Sequence, residues 1–131
     1  MGDRVVHLAG NALEDDIGVE AYDAVLIANL IHHFDADQNR RLAQKVARAL
    51  RPGGVFVVMD AVRIVSPAEA DRPNRRLGAV LDVYFALTST SGTWSVEAVQ
   101  EWQRAAGLRP LRPTWLQTMP GAALLSARQP G

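Results

Sequence analysis

The stretch YDAVLIANLIHHFDADQNRRLAQKVARALRPGGVFVVMD, Tyr22 to Asp60, contains a complete structural unit. Tyr22–Ala28 is almost wholly apolar and lacks the in–out alternation of a half-exposed strand. Such a run suits a strand covered on both faces, as in a parallel sheet. Asp35 and Gln38 stand in the spacing of a capping box. Leu42, Val46 and Leu50 then recur at i, i+4 and i+8, with Ala43 and Ala47 beside them. Arg40, Arg41, Gln44, Lys45 and Arg48 fall mostly on the opposite side, so the segment predicts one amphipathic helix lying on a sheet. RPGG, Arg51–Gly54, stops that helix, and Val55–Asp60 is a second apolar strand. Strand, helix, tight turn and strand make a βαβ unit with parallel strands and a right-handed crossover. His32 and His33 fall where the first strand meets the helix.

Outward from this unit, Arg4–Ala9 (RVVHLA) is short and β-branched and ends at Gly10-Asn11, which predicts another strand. Ser66-Pro67-Ala68-Glu69 has a cap, a proline at the first helical position and a glutamate at the third. Pro73 interrupts that turn ahead of a main helix from Asn74 to about Leu87. Apolar residues run almost all round that helix, so it is buried, covers a ligand or meets another subunit. Ser89–Ser95 (STSGTWS) is a loop; Ser95 caps a helix over Val96–Ala106, and Gly107 ends it. PTWLQ and AALLSA, separated by Met119-Pro120-Gly121, predict a closing antiparallel hairpin. No internal repeat, low-complexity tract or linker interrupts the chain.

The 131 residues suffice for one modest domain, and 48% hydrophobic with 21% charged residues is an ordinary globular balance. Fourteen basic and fourteen acidic side chains cancel, which argues against a nucleic-acid partner. The absence of cysteine excludes disulfides, thiolate metal sites and cysteine nucleophiles. No apolar run approaches the roughly 18 residues of a membrane span. MGDRVVHLAG has no secretory pattern, so a cytoplasmic location with no membrane partner is expected. Lys45 is the only lysine, a bias that suits a GC-rich bacterial genome.

Three segments together resemble class I S-adenosylmethionine-dependent methyltransferases of the small-molecule O-methyltransferase type. Tyr22–Asp60 looks like the family's fourth strand, following helix and fifth strand, with LRPGG before the β-run. Gly92–Pro110 (GTWSVEAVQEWQRAAGLRP) resembles its late segment, where a helix ending in Ala-Gly precedes the last two strands. The resemblance implies an α/β, Rossmann-like methyltransferase fold whose sheet order is 3-2-1-4-5-7-6. Only strands 3–7 have counterparts here: the glycine-rich first strand unit, with its G-x-G-x-G, is absent. Residues 1–131 therefore read as a partial domain, the C-terminal portion, cut or mis-started inside the fold. Strand four would be an apolar edge, which predicts that Arg4–Ala9 slides in beside it, that two copies pair edges as a homodimer, or that the chain is poorly stable.

Ligands of open α/β sheets sit beyond the carboxyl ends of the strands. The resemblance implies S-adenosyl-L-methionine at Gly10, Asn11, Ala12 and Leu13 after strand three and at Asn29 and Leu30 after strand four. The Asn11 side-chain oxygen stands where the family's aspartate meets the adenine amino group; Gly10-Asn11 is equally a plain turn. His32 takes the position of the catalytic histidine of plant-type enzymes, with His33-Phe34 in place of Asp-Trp. It is either a general base for a substrate hydroxyl or part of the pocket wall. His33, Asp60, Tyr84, Phe85 and Thr88 are the substrate-side candidates, against strand-end and core packing; Trp94 and Trp102 read as packing anchors. No metal is expected, because His32, His33 and Asp35 diverge from adjacent positions and zinc needs three convergent ligands. The expected activity is methyl transfer to a small-molecule hydroxyl once the missing part is supplied. The alternative is a non-catalytic interaction or dimerisation module. A nicotinamide-dependent oxidoreductase is disfavoured by the lack of G-x-G-x-x-G.

Overall fold

The computed structural model describes residues 3–63, 76–88, 92–119 and 121–131. Ser66–Pro73, Ser89–Ser91 and Pro120, read above as parts of a capped turn, a loop and a hairpin turn, lie outside the described residues. The fold is a mixed α/β sheet of five strands with helices: β1 (Tyr22–Ala28), α1 (Ala36–Ala49), β2 (Leu50–Ala61), α2 (Arg76–Thr88), α3 (Val96–Ala105), β3 (Arg109–Pro110), β4 (Thr114–Trp115) and β5 (Ala122–Arg128). Its order is β1-β2-β5-β3, with β4 also on β5. β1 and β2 are parallel, and β5 runs antiparallel to β2, β3 and β4. The expected βαβ unit and antiparallel closing strands are both present. The order corresponds to the 4-5-7-6 part of the sheet that the resemblance implies.

Helix α1 begins where its sequence says it must. The Asp35 carboxylate accepts from the Gln38 backbone N–H at 2.8 Å, and Gln38 Oε1 accepts from the Asp35 N–H at 3.0 Å. Two of the helix's otherwise unpartnered N–H groups are thereby satisfied reciprocally. Its apolar stripe, Leu42, Val46 and Ala47, joins Val99 and Trp102 of α3 over one face of the sheet, against Ile27, Phe56, Val58 and Leu125. The RPGG stretch is not a break before β2 but a kink inside it: the β1–β2 register jumps between Tyr22↔Leu50 and Ala24↔Val55. Glycine is required there. Gly53 has φ +78°, and a Cβ on Gly54 would lie 2.9 Å from the Arg51 carbonyl and 3.1 Å from that of Asp23.

Two expectations fail, for one reason. Arg4–Ala9 is not a strand: Val5, Val6 and Leu8 are 51%, 77% and 87% exposed, with no sheet partner among the described residues. β1 is not covered on both faces either, since Ile27 is its only buried residue and Leu26 is 61% exposed. β-branched sequence supplies propensity, but a strand also needs a neighbour to hydrogen-bond and a layer to pack against. Here the outer edge of β1 and its face away from α1 have neither among the described residues, and Arg4–Ala9 does not fill the gap.

Gly54→Ala is expected to destabilise the fold by about 1–3 kcal/mol, because overpacking forces backbone to move. Asp35→Ala is expected to cost about 1 kcal/mol through loss of the cap. Chemical denaturation of each variant beside the parent measures both; an unchanged midpoint for Gly54→Ala would contradict the close approach.

Candidate active site

After Ala28 the chain turns through Asn29, a non-glycine residue at φ +53°, whose N–H donates to the Met59 carbonyl at 2.9 Å. A single 3-10 turn, Ile31–His33, follows. Its carbonyls are held from two sides. Asn39 Nδ2 donates to the Ile31 and Phe34 carbonyls, and Trp94 Nε1 donates to the Ile31 carbonyl at 3.1 Å. The turn directs His32 inward, where it is 4% exposed.

Across the parallel ladder, Asp60, the penultimate residue of β2, is 3% exposed. His32 Nδ1 lies 2.9 Å from Asp60 Oδ1 and 3.1 Å from Oδ2. Asp60 Oδ1 also accepts from the Ala61 N–H at 2.8 Å. A carboxylate only accepts, so Nδ1–H donates to it, and in the neutral ring the lone pair is then on Nε2. A neutral imidazole oriented in this way by a carboxylate has the geometry that general-base chemistry uses. Phe85 of α2 stacks on the His32 ring, with centroids 4.0 Å apart and planes 21° apart. The His33 ring lies 4.2 Å away at a tilt, and Tyr84 packs edge-on against Phe85 at 5.3 Å. His32, His33, Asp60, Tyr84 and Phe85 therefore gather into one cluster. Thr88 does not join through its hydroxyl, which donates to the Tyr84 carbonyl of its own helix.

The expected cofactor residues divide. Ala12 and Leu30 line one groove of about 300 Å³ with Val25, Ile27, Ala28 and Leu42, along the open edge of β1. Asn11 Oδ1 already accepts from the Leu13 and Glu14 N–H groups, and the Asn11 N–H donates to Asp15 Oδ2. Lys45 Nζ ties down the same loop through the Ala12 and Asp15 carbonyls. Gly10 is exposed, and a Cβ there would meet Asp15 Oδ2 at 2.8 Å. Among the described residues no three metal-ligating side chains converge.

Sequence reasoning placed Asp60 on the substrate and missed its partnership with His32. The only available signal was that both residues end neighbouring parallel strands. It also missed Asn39 and Trp94, whose contacts with Ile31 span 8 and 63 positions.

A family model of the O-methyltransferase domain matches residues 1–108. The chain belongs to that family. Solved structures agree in fold. A protein from Nostoc punctiforme PCC 73102 assigned as an O-methyltransferase superposes with a TM-score of 0.77 at 25% identity, covering 93% of this chain and 36% of its own. A family protein from Burkholderia thailandensis gives 0.78 at 20% identity, covering 99% and 37%. Human N-acetylserotonin methyltransferase, solved with S-adenosylmethionine, gives 0.74 at 15% identity, covering 95% and 33%. The chain spans about a third of the length of these structures. A comparison with curated protein sequences finds no match.

Within this O-methyltransferase domain, Asp60→Ala is expected to destabilise by about 1–3 kcal/mol, because it leaves a buried imidazole N–H without its acceptor. Combined with His32→Phe it should cost less than the sum of the two single changes. A double-mutant cycle in urea tests this; strict additivity would mean the two side chains do not interact.

Proposed function

We propose that this chain is the base-bearing C-terminal portion of an S-adenosylmethionine-dependent O-methyltransferase acting on a hydroxyl of a small molecule. The buried His32–Asp60 pair is the observation that carries the reading. The cofactor, when bound, supplies an electrophilic methyl group on a sulfonium. What the chain's own residues must add is alignment and a deprotonated oxygen. In the neutral ring Nε2 is the atom that takes the hydroxyl proton as the oxygen attacks the methyl group. Asp60 then faces the imidazolium at Nδ1 and stabilises it. Phe85, Tyr84 and His33 form an aromatic surround that suits a flat substrate.

The described residues fit part of the cofactor. The groove walled by Ala12, Ala28 and Leu30 suits a flat apolar ring such as adenine, with Gly10 and Asn11 shaping the adjoining turn and Asn29 setting the strand end. Its lining offers no carboxylate for a ribose diol and no charged group for the methionine end. By calorimetry, the chain alone is expected to show no micromolar binding of S-adenosylmethionine; micromolar binding would overturn the incomplete-site reading. Grafted in place of the matching third of the Nostoc relative, it should restore methyl transfer. His32→Ala in that chimera should lower turnover by roughly 10²–10⁴-fold with cofactor affinity unchanged. A loss of cofactor affinity with turnover intact would instead make His32 pocket wall.

A second reading, an interaction or dimerisation module, is favoured by the open β1 edge and by Val80, Val83 and Leu87 of α2, which are 63%, 61% and 82% exposed. Sedimentation at increasing concentration should then show self-association that Leu26→Lys weakens. Among the described residues no helix is long and apolar enough to cross a membrane.

A further inference from the structure

We infer that Trp94 is a positioning residue for the His32–Asp60 pair, acting together with Asn39 through the carbonyl of Ile31. Trp94 is attached to both halves of the pair. Its backbone is sewn to the strand end that carries Asp60: Val62 and Trp94 form an isolated parallel bridge, and the Arg63 N–H donates to the Trp94 carbonyl at 2.9 Å. Its side chain reaches the turn that carries His32, with Nε1 donating to the Ile31 carbonyl one residue before the imidazole. One residue therefore ties the segment just beyond the acid to the segment just before the base.

The indole is itself held. Trp102 meets it edge-on at 5.1 Å, and the Arg63 guanidinium lies over its face at 5.8 Å. Asn39 completes the clamp from α1. Its amide donates to the Ile31 carbonyl at 3.0 Å and to the Phe34 carbonyl at 3.3 Å, bracketing the turn. The orientation is not interchangeable, since a flipped amide would set its oxygen against two carbonyl oxygens. The amide keeps this orientation although Oδ1, buried, has no partner among the described residues. These two side-chain donors converge on a carbonyl that already accepts the Phe34 N–H at 3.2 Å, which is more than a lone 3-10 turn needs for satisfaction. What they add is restriction of the turn, and with it of the imidazole's approach to Asp60.

The inference rests on the proposed role of His32 only for its effect on turnover; its geometric content is tested on the full chain alone. The readout is the hydrogen-bonded Nδ1–H resonance of His32 and its rate of exchange with solvent, assigned by its loss in His32→Gln. Trp94→Phe keeps an aromatic ring and removes the N–H; Asn39→Leu removes the second donor. Each is expected to accelerate that exchange at least tenfold. The control is Gln103→Leu, which removes an equally buried amide that donates to the Leu125 carbonyl instead and also leaves its oxygen unpartnered. At comparable loss of melting temperature it should leave the His32 signal unchanged. Equal effects in all three variants would reduce Trp94 to a packing anchor, as would an unchanged signal in Trp94→Phe. Should Trp94→Phe not fold, a benzothienyl analogue at position 94, which replaces N–H by sulfur at nearly constant shape, gives the same reading. An unchanged signal there overturns the proposal. A tenfold acceleration of exchange without any effect on turnover in the Nostoc chimera would uphold the positioning and refute His32 as base.

Discussion

The parallel ladder between β1 and β2 is the constraint on which the rest of the structure depends. Its register, running from Ala24↔Val55 to Ala28↔Met59, decides which residues meet where both strands end. With Ala28 opposite Met59, the turn after β1 delivers His32 to the carboxylate of the next residue on β2, Asp60. Side chains alternate along a strand, so a slip of one residue would turn Asp60 to the other face and leave two buried polar groups apart. The Gly53-Gly54 kink lies upstream of this register and absorbs the irregularity, so the ladder is regular where the site is built. The helix between the strands, capped at Asp35, sets the length of the crossover that permits this alignment.

Among the described residues the outer edge of β1 has no neighbouring strand. β2 is paired on both flanks, by β1 and by β5, and from Gly53 to Asp60 its residues alternate between half-buried and buried. β1 is paired on one flank and mostly exposed. The core consequently lies on the α1–α3 face, while an apolar groove runs along the outer edge of β1. An unpaired apolar edge is a template for another strand. The groove that would hold part of a cofactor and the edge that would accept a neighbour are thus one surface.

At the site, burial and pairing work together. His32 and Asp60 are both taken out of water, which is tolerated because each satisfies the other and Asp60 also accepts a backbone N–H. The aromatic stack of Phe85 closes one side of the imidazole with an apolar plane. An imidazole in such a setting is oriented in advance, which suits the general-base role proposed for it.

Much of this was legible in the sequence, where short-range chemistry decides. Asp35 and Gln38 placed the start of α1, the Leu42–Val46–Leu50 spacing its buried face, Ser95 the start of α3, and the two apolar runs the parallel pair. Each of these depends on residues within a few positions of one another, whose geometry is set by helix and strand periodicity. Arg4–Ala9 shows the limit. Its composition is that of a strand, yet strand formation needs a partner that composition cannot supply. The site belongs to the same category. The sequence placed His32 and Asp60 at two strand ends. Only the tertiary structure decided that they face each other, because 28 residues and a ladder register separate them. Only the fold, likewise, could bring Trp94 onto the Ile31 carbonyl from 63 residues away, since no local rule carries that distance.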